Sequence, residues 1–388
     1  MRFSLTEDQD TIRREIGKLC ARFDDVYWQK QDDSAQFPEE FYRAVADGGW
    51  LGIAMPEAYG GAGLGISEAA VMMRAIAESG AGMSGASSVH MNIFGLQPVV
   101  VFATDEQKRR MLPPLMRGED KACFAVTEPD AGLDTTRIKT FAERSGDHYI
   151  VSGQKIWIST AQVATKVLLL ARTTPLDQVK RKTEGLSLFY TALDRSKVEM
   201  RVIHKLGRHA VDSNILFFDR MAVPKDDLIG KEGDGFRQIL HGLNPERILV
   251  AAEAVGLGHA ALRKAAAYAK ERVVFDRPIG QNQGIQHPLA KCWMTLEAAN
   301  LMVMKAAALY DAGEECGVEA NAAKYFAAEA GFDACQTAVM TLGGMGYSRD
   351  YHVERYFREC LIPRIAPVSP HMILNFIAEK VLGLPKSY

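Results

Sequence analysis

The chain has 388 residues, of which 47% are hydrophobic and 24% charged, so two or three domains with buried cores are expected and a disordered chain is not. The net charge of −2 and the isoelectric point near 6.5 give no sign of nucleic acid or an anionic membrane as a partner. The six cysteines lie far apart, which is typical of reduced, buried thiols rather than of disulfides or a metal centre.

The first 120 residues have a helical pattern. MRFSLTEDQDTIRREI predicts a capped amphipathic helix and contains no apolar signal-peptide core. TDEQ at 104–107 is a capping box at the start of a helix, and FPEE predicts another helix with Pro38 at its first position. Apolar residues recur at spacings of three and four in AAVMMRAIAESG. An N-terminal helical domain over residues 1–120 follows.

Short β-branched and aromatic runs occupy the next hundred or so residues, separated by Gly, Asp, Ser and Pro turns. Segments of helix length are missing between them, which argues against a parallel doubly wound sheet. The pattern predicts a middle antiparallel β-barrel or β-sandwich domain over residues 121–228. The runs are CFAVT, TRIKTFAE, HYIVSGQKIWIS, KVLLLAR, LSLFYTAL and NILFFDRMAVP.

Long segments rich in Ala, Met and Glu follow, and Leu-Gly-Gly at 342–344 is read as a helix stop. Their wide apolar faces predict a C-terminal four-helix-bundle-like domain over residues 229–388, with some faces covered by another subunit. The fold class is therefore α+β with three domains. We expect no membrane span, because the apolar runs are shorter than about 18–20 residues, and no targeting segment is visible, so a cytoplasmic protein is expected.

One stretch, HGLNPERILVAA at 241–252, allows two interpretations. Asn244 can cap a helix, Pro245 suits the first helical position, and Glu246 in the first turn then faces the positive end of the helix dipole. Alternatively, Glu246 is held at a cleft for acid–base chemistry. The residues of this stretch do not decide between the two.

Common enzyme fingerprints such as the P-loop, GxSxG and HExxH do not occur in the sequence. One GxGxxG string, GAGMSG at 80–85, follows a helical pattern rather than a strand, so a nicotinamide-binding Rossmann domain and a metal site are not expected. Six other segments occur instead in a fixed order, and together they resemble the acyl-CoA dehydrogenase family over essentially the whole chain. They are GWLGIAMPEAYGGAG, TEPDAG, GQKIWI, LIGKEGDGF, ERVVFDRPIGQNQ and LGGMGY.

The resemblance implies bound FAD, an acyl-CoA thioester substrate, an electron-transfer flavoprotein as electron acceptor, and a homotetramer built as two dimers. It implies a reaction in which a carboxylate removes the proton α to the thioester while the β-hydride passes to flavin N5. By the same resemblance, Thr127 donates its hydroxyl to the flavin pyrimidine edge, Trp157 covers one face of the ring, and Ser159 contacts the N5/O4 edge. From the residues alone, Trp157 could instead be a packed core aromatic, and the hydroxyls could be caps or strand-edge donors.

Further cofactor contacts are implied elsewhere. Arg272 also has a simpler interpretation, a solvated cation at a helix end. Glycines in the LGGMGY loop would let the backbone approach the cofactor closely. The implied positions are Phe124 and Val126 in the middle domain, Arg272, Phe275 and Gln283 toward a neighbouring subunit's FAD, and Met340, Gly343 and Gly344 on the adenine side.

The resemblance also assigns the base. In most of the family it is a glutamate in a loop near the C-terminus, but a gap-free count from LGGMGY puts Pro367 there, which can neither remove a proton nor donate an amide N–H. Isovaleryl- and long-chain-type members carry the base on a helix in a sequence like L-x-x-E-R, which LNPERI matches. Glu246 is then the base, with its pKa raised toward neutrality by burial, against Arg247 and the helix dipole. Asn244, Arg247 and Leu133 are the implied substrate contacts.

Several positions depart from the family pattern. Leu133 replaces the serine usual after TEP-x-AG, and Val368, Pro370 and His371 interrupt a threonine-serine-glutamine run that normally touches FAD. An acyl-CoA oxidase, another flavin reaction on a CoA ester and a catalytically silent acyl-CoA-binding homologue therefore remain alternatives. Side chains around 72–91 and 243–251 are expected to line the acyl pocket, but they do not reveal the chain length or branching of the substrate.

Overall fold

The computed structural model describes residues 4–387. Its first part is helical, as predicted, and the capping boxes at Thr6 and Thr104 are both formed. Pro38 lies one residue before its helix rather than at the first helical position. The helices are α1 Glu7–Cys20, α2 Asp25–Ser34, α3 Glu39–Asp47, α4 Ile66–Ile76, α5 Gly82–Phe94, α6 Gln97–Phe102 and α7 Asp105–Met116.

A π-helical turn, Ala77–Ala81, joins α4 to α5. Gly80 and Gly82 have φ of 110° and 62°, values that side chains rarely tolerate. At the start of α5, the Glu359 carboxylate accepts hydrogen bonds from the backbone N–H groups of Met83 and Ser84 at 2.7 and 3.2 Å. The C-terminal part of the chain thereby fixes the first turn of α5.

The middle of the chain forms a sheet that contains eight strands within residues 4–387. The neighbouring strands run in the order β6-β7-β3-β2-β4-β5-β8, with β1 beside β4. The six runs named from the sequence all contain a strand, and β6 and β8 are additional. The strands are β1 Ala122–Ala125, β2 Phe141–Ser145, β3 His148–Ser159, β4 Lys166–Arg172, β5 Leu186–Ala192, β6 Val198–Val202, β7 Ser213–Pro224 and β8 Leu228–Ile229.

The prediction that this domain is antiparallel is wrong in one respect, because β1 pairs with β4 in parallel, with Cys123 opposite Val167 and Phe124 opposite Leu168. A parallel pair needs a long connection, and here the connection contains β2 and β3 rather than a helix. The sequence pattern predicted where the strands are, but the relative direction of two strands depends on the path of the chain that connects them. The rest of the sheet pairs antiparallel, apart from one parallel residue pair between β2 and β4.

The last part of the chain is again mainly helical, as predicted. It contains a small β-ribbon between its two longest helices. The boundaries at 120 and 228 stay a prediction. The elements are α8 Gly235–Glu271, β9 Val273–Val274, β10 Arg277–Pro278, α9 Gln283–Asp311, α10 Gly317–Leu342, α11 Val353–Glu359, α12 Ile362–Ile365 and α13 Pro370–Lys380.

The predicted helix start at Asn244-Pro245 is wrong. Helix α8 is 37 residues long, begins at Gly235 and contains Pro245 in its interior. The helix tolerates the proline there because α8 packs against α4, α5, α9 and α10, and this tertiary burial outweighs the local cost of one lost hydrogen bond. Glu246 therefore lies in the interior of a continuous helix, partly buried and away from the helix dipole's positive end.

By length and composition alone, one stretch, Val353–Lys380, is apolar enough to cross a membrane. This differs from the expectation drawn from the sequence. In the structure the stretch is not one helix but three short ones, α11, α12 and α13.

Candidate active site

A buried ion pair joins two of the segments that carried the family resemblance. The Lys155 ammonium, fully buried in β3, donates to Glu128 Oε1 at 3.0 Å and to the Val126 carbonyl at 2.9 Å. Glu128 also accepts from the backbone N–H groups of Lys139 and Thr140 at 2.6 and 3.0 Å. The pair holds the TEP segment against β3, which places Thr127 beside the strand that carries Trp157 and Ser159.

The three predicted flavin contacts lie where β3 ends, at the edge of the sheet formed by the strand ends. The Thr127 carbonyl accepts from the Ile156 N–H at 2.9 Å, so the two segments are joined directly. Trp157 has φ of 63° at a register shift in the β3–β7 pairing, and 57% of its surface is exposed. That exposure rules out the packed-core interpretation of Trp157 within the described chain and leaves a large planar face free at the edge.

Ser159 is held by an arginine that the sequence had not singled out. Arg208, in the loop between β6 and β7, donates to Ser159 Oγ at 3.0 Å and to Ser87 Oγ of α5 at 3.1 Å. It therefore joins the sheet edge to the N-terminal helices. Its Nε is buried and has no partner among the described residues, and burial lowers its pKa. One donor at this edge is thus left for a ligand.

Glu246 projects from the interior of α8 into this region. Its Oε2 is buried and, within residues 4–387, accepts no hydrogen bond. Burial raises the pKa of Glu246 to about 7, against the opposing charges of His90 and Arg247. The expected shift toward neutrality is therefore present, although the largest opposing influence is the charge of His90 and not the helix dipole. A carboxyl with this pKa is suited to take a proton at neutral pH.

A second buried carboxylate lies two turns further along the same face of α8. Glu253 Oε1 is 2.5 Å from Nδ1 of His90, which belongs to α5. Burial opposes the charged imidazolium, but the Glu253 charge, its hydrogen bond and the Glu246 charge outweigh burial and raise the pKa of His90. His90 Nε2 is buried without a partner in the described part of the chain.

The residues next to Glu246 bond to each other rather than to it. Arg247 Nη1 donates to the Asn244 side-chain oxygen at 2.9 Å, so Asn244 is not a helix cap, which corrects the expectation for this residue. Arg247 Nε is buried, and no described residue pairs with it. Burial lowers the pKa of Arg247. Both side chains lie beside the predicted base.

The loop that carries Pro367 lies between α12 and α13, and Pro367 is half-buried. The Val368 carbonyl accepts from Nζ of Lys324, a fully buried residue of α10, at 2.5 Å. Burial lowers the pKa of Lys324 to about 8, and Glu246 and Arg247 both interact with its charge. The loop that carries Pro367 is therefore fixed by the Lys324 ammonium, whose charge also interacts with Glu246.

The other predicted contacts fall into two groups. Phe124 is half-buried and its ring centre lies 5.8 Å from that of Phe94, Val126 is buried, and Leu133 is 65% exposed at the loop tip. The second group is exposed and lies in the C-terminal part of the chain. Its members are Arg272, Phe275, Gln283, Met340, Gly343 and Gly344.

The residues present fit a flavin dinucleotide. A planar ring can lie on the exposed face of Trp157, and the unpaired Arg208 Nε supplies a buried donor beside Ser159. A Cβ added to Gly343 or Gly344 would meet no atom within 4 Å, so the backbone of that loop is open to a ligand. The roles of the individual residues stay predictions.

Sequence reasoning missed His90, Glu253 and Arg208. For two of them a signal exists: His90 is the one charged or titratable residue in GASSVHMNIFG, and Glu253 interrupts LVAAEAVGLG seven residues after Glu246. Seven residues are nearly two helical turns, so Glu246 and Glu253 share a face. No local pattern distinguishes Arg208, whose two side-chain hydrogen bonds reach separate segments, α5 and β3.

Comparisons with known proteins agree with this geometry. Residues 6–119, 123–221 and 233–382 match the family models for the N-terminal, middle and C-terminal domains of acyl-CoA dehydrogenase. The chain is 36% identical over 396 residues to acyl-CoA dehydrogenase FadE12 of Mycobacterium tuberculosis, covering 100% of this chain and 99% of that one.

Solved structures are similar over the same length. A structure of glutaryl-CoA dehydrogenase with glutaryl-CoA superposes with a TM-score of 0.93 at 32% identity, covering 100% of this chain and 98% of that one. A structure described as the electron transferring flavoprotein of Acidaminococcus fermentans gives a TM-score of 0.94 at 31% identity over 98% and 100% of the two chains. Because this similarity extends through all three domains, the chain belongs to the acyl-CoA dehydrogenase family, FAD-dependent oxidoreductases that act on the CH–CH bond of acyl-CoA.

Proposed function

We propose that Glu246 is the base that removes the α proton of an acyl-CoA thioester in this enzyme. One observation carries the proposal: the Oε2 atom of the partly buried Glu246 is shielded from solvent, lacks any partner among the described residues, and belongs to a carboxyl whose pKa is raised to about 7. A buried carboxylate without a partner is costly for folding alone, so its retention supports a role toward a ligand. Pro367, at the position of the usual base, has no group that can accept a proton.

The middle domain holds the cofactor in this proposal. Thr127 and Ser159 present hydroxyls to the flavin, Trp157 covers its ring, and Arg208 fixes the Ser159 side chain at 3.0 Å. Bound FAD supplies the acceptor for the β-hydride. The Lys155–Glu128 pair keeps the two binding segments in register, so its contribution is to position and not to react.

The acyl thioester lies between Glu246 and the sheet edge. Exclusion of water from this buried region raises the proton affinity of the carboxylate and strengthens every charge interaction in it. Arg247 and Lys324 supply positive charge next to the site where the enolate develops, and Lys324 also fixes the loop that replaces the usual base. Positive charge at that point lowers the cost of removing a weakly acidic proton.

The electron acceptor and the assembly are further parts of the proposal. The exposed group from Arg272 to Gly344 is expected to contact FAD in a neighbouring subunit of a homotetramer. An electron-transfer flavoprotein is the proposed acceptor, and the similarity to the A. fermentans flavoprotein structure supports it.

Anaerobic titration of the holoprotein with a panel of acyl-CoAs tests the function. We expect at least one member of a panel of straight, branched, aryl and oxygen-substituted acyl-CoAs to remove the oxidised-flavin absorbance. Rapid reoxidation by oxygen afterwards would identify an oxidase instead, and tight acyl-CoA binding without any change in the flavin spectrum would identify a silent homologue.

A further inference from the structure

The buried pair formed by His90 and Glu253 has no part in the reaction described above. It joins α5 to α8, and the charge of Glu246 acts on its imidazole. Val89 and Met91, on either side of His90 in sequence, are 0% and 8% exposed. Burying the polar atoms of a titratable pair costs free energy, so the presence of this pair calls for a functional explanation.

The geometry fixes which imidazole nitrogen is bonded to Glu253 and which is left for another partner. Nδ1 lies 2.5 Å from Glu253 Oε1, and a carboxylate only accepts, so Nδ1 carries the proton in that bond. The Glu253 side chain is 1% exposed and so holds the ring firmly. The His90 ring packs on Phe94 with centres 4.5 Å apart, and Phe94 packs on Phe124.

The opposite nitrogen, Nε2, has no partner. It is fully buried, and none of the described side chains or backbone groups lies at hydrogen-bond distance from it. The charged groups that interact with the ring are Glu246 and Glu253 from α8 and Arg208 from the β6–β7 loop. Glu246 Oε2 and Arg208 Nε are also unpaired, so three polar atoms from three elements are left open in one buried region.

A hydrocarbon chain next to Nε2 would leave this atom unsatisfied, whereas an oxygen would complete its hydrogen bonding. We propose that the His90–Glu253 pair recognises an oxygen on the acyl chain, so that the substrates of this enzyme are hydroxy- or oxo-substituted acyl-CoAs rather than unsubstituted saturated ones. This inference rests on the proposed function, since it deepens the choice of substrate at the same site.

The chemistry of both protonation states agrees with this substrate class. The raised pKa of His90 favours the imidazolium, whose Nε2–H donates to a hydroxyl or carbonyl oxygen. In the neutral form Nε2 accepts from a hydroxyl. A methyl group can do neither, so the discrimination comes from the unsatisfied nitrogen rather than from pocket size.

The test uses binding, so that it does not depend on turnover. S-alkyl-CoA thioethers from butyl to octyl, each paired with an isostere in which a hydroxyl replaces the terminal methyl, are titrated into the holoprotein by calorimetry. In at least one pair we expect the hydroxylated ligand to bind at least about tenfold tighter. His90→Leu should abolish that ratio, while His148→Leu, at an exposed histidine of β3, should keep it.

Glu253→Gln provides a second variant, which loses the carboxylate that charges the ring, and should reduce the ratio even if His90→Leu does not fold. Equal binding in every pair, or a preference that survives His90→Leu, would overturn the inference. The corresponding thioesters test the proposed function separately. A preference in binding without flavin reduction would overturn the function and leave the inference, and binding of neither ligand would overturn both.

Discussion

Two buried charge clusters in this molecule differ in how completely their hydrogen bonds are made. In the middle domain, Lys155 and Glu128 bond to each other, and backbone groups use their remaining capacity. In the cluster around α8, Glu246 Oε2, His90 Nε2 and Arg247 Nε remain unpaired among the described residues. A closed network stabilises a backbone arrangement, whereas an open one stores binding capacity for a ligand.

The two clusters also differ in their protonation. Burial lowers the pKa of Lys155 to about 8, but the Glu128 charge opposes this shift, so the pair remains ionised at neutral pH. Glu246, with a pKa of about 7, is divided between its two forms at the same pH. Only the open cluster can therefore exchange a proton without disrupting the fold.

The largest expected effect on activity comes from removing the Glu246 carboxylate, whose Oε2 has no partner among the described residues. Glu246→Gln keeps the size of the side chain, so the holoprotein should stay yellow, but substrate should reduce the flavin more slowly by about 10²–10⁴-fold, since general-base catalysis is lost. Stopped-flow absorbance measures this rate. Glu271→Gln, exposed at the end of the same helix, is the matched control. Reduction of the Glu246 variant at the parent rate would contradict the assignment of the base.

Breaking the fully hydrogen-bonded Lys155–Glu128 pair should affect stability rather than activity. Lys155→Met leaves Glu128 buried without its partner, and we expect a loss of about 3–5 kcal/mol in the free energy of unfolding. Denaturant titration of the holoprotein measures it. Lys139→Met removes an exposed pair with Asp130 from the same loop region and should cost little. Equal losses in the two variants would show that closure of the Lys155 network is not what stabilises the domain.

The pH dependence of kcat/KM tests the protonation of Glu246, which the Lys155–Glu128 pair should not affect. Only the ionised form of Glu246 can accept a proton, so kcat/KM should rise with pH up to about 7 and fall about tenfold per unit below it. His90→Gln removes the imidazolium that opposes the shift, so its profile should move to higher pH. Steady-state rates across a pH series provide the measurement, and a profile that His90→Gln leaves in place would contradict the coupling between the two residues.

The smallest effect on stability is expected at Asp311, an exposed carboxylate that accepts hydrogen bonds from backbone groups. Asp311, at the end of α9, accepts from the backbone N–H groups of Ile66 and Ser67 at 2.7 and 2.9 Å and so caps α4. Asp311→Ala should lower the free energy of unfolding by about 1 kcal/mol, whereas Asp311→Asn keeps an acceptor and should cost less. Thermal unfolding distinguishes the two, and equal losses would show that the cap is not the cause.

The sequence predicted much of the fold because the relevant signals are local. Capping residues at Thr6 and Thr104, alternating apolar runs in the middle domain and the helix stop at Gly343 depend on a few neighbouring residues. The same local reasoning failed at Asn244 and Pro245, where it predicted a helix start. There the burial of α8 on several sides overrides a local breaker.

The sequence by itself therefore determined the order of helical and strand domains. Its resemblance to a family led to the prediction of the cofactor-binding segments and to the proposal of Glu246 rather than Pro367 as the base. Only the tertiary structure decided which atoms stay without partners. His90, Glu253 and Arg208 come from three elements far apart in the chain, and their meeting depends on the packing of α5 and α8 against the sheet edge. Hydrogen-bond satisfaction is a property of that packing and not of any short stretch of residues.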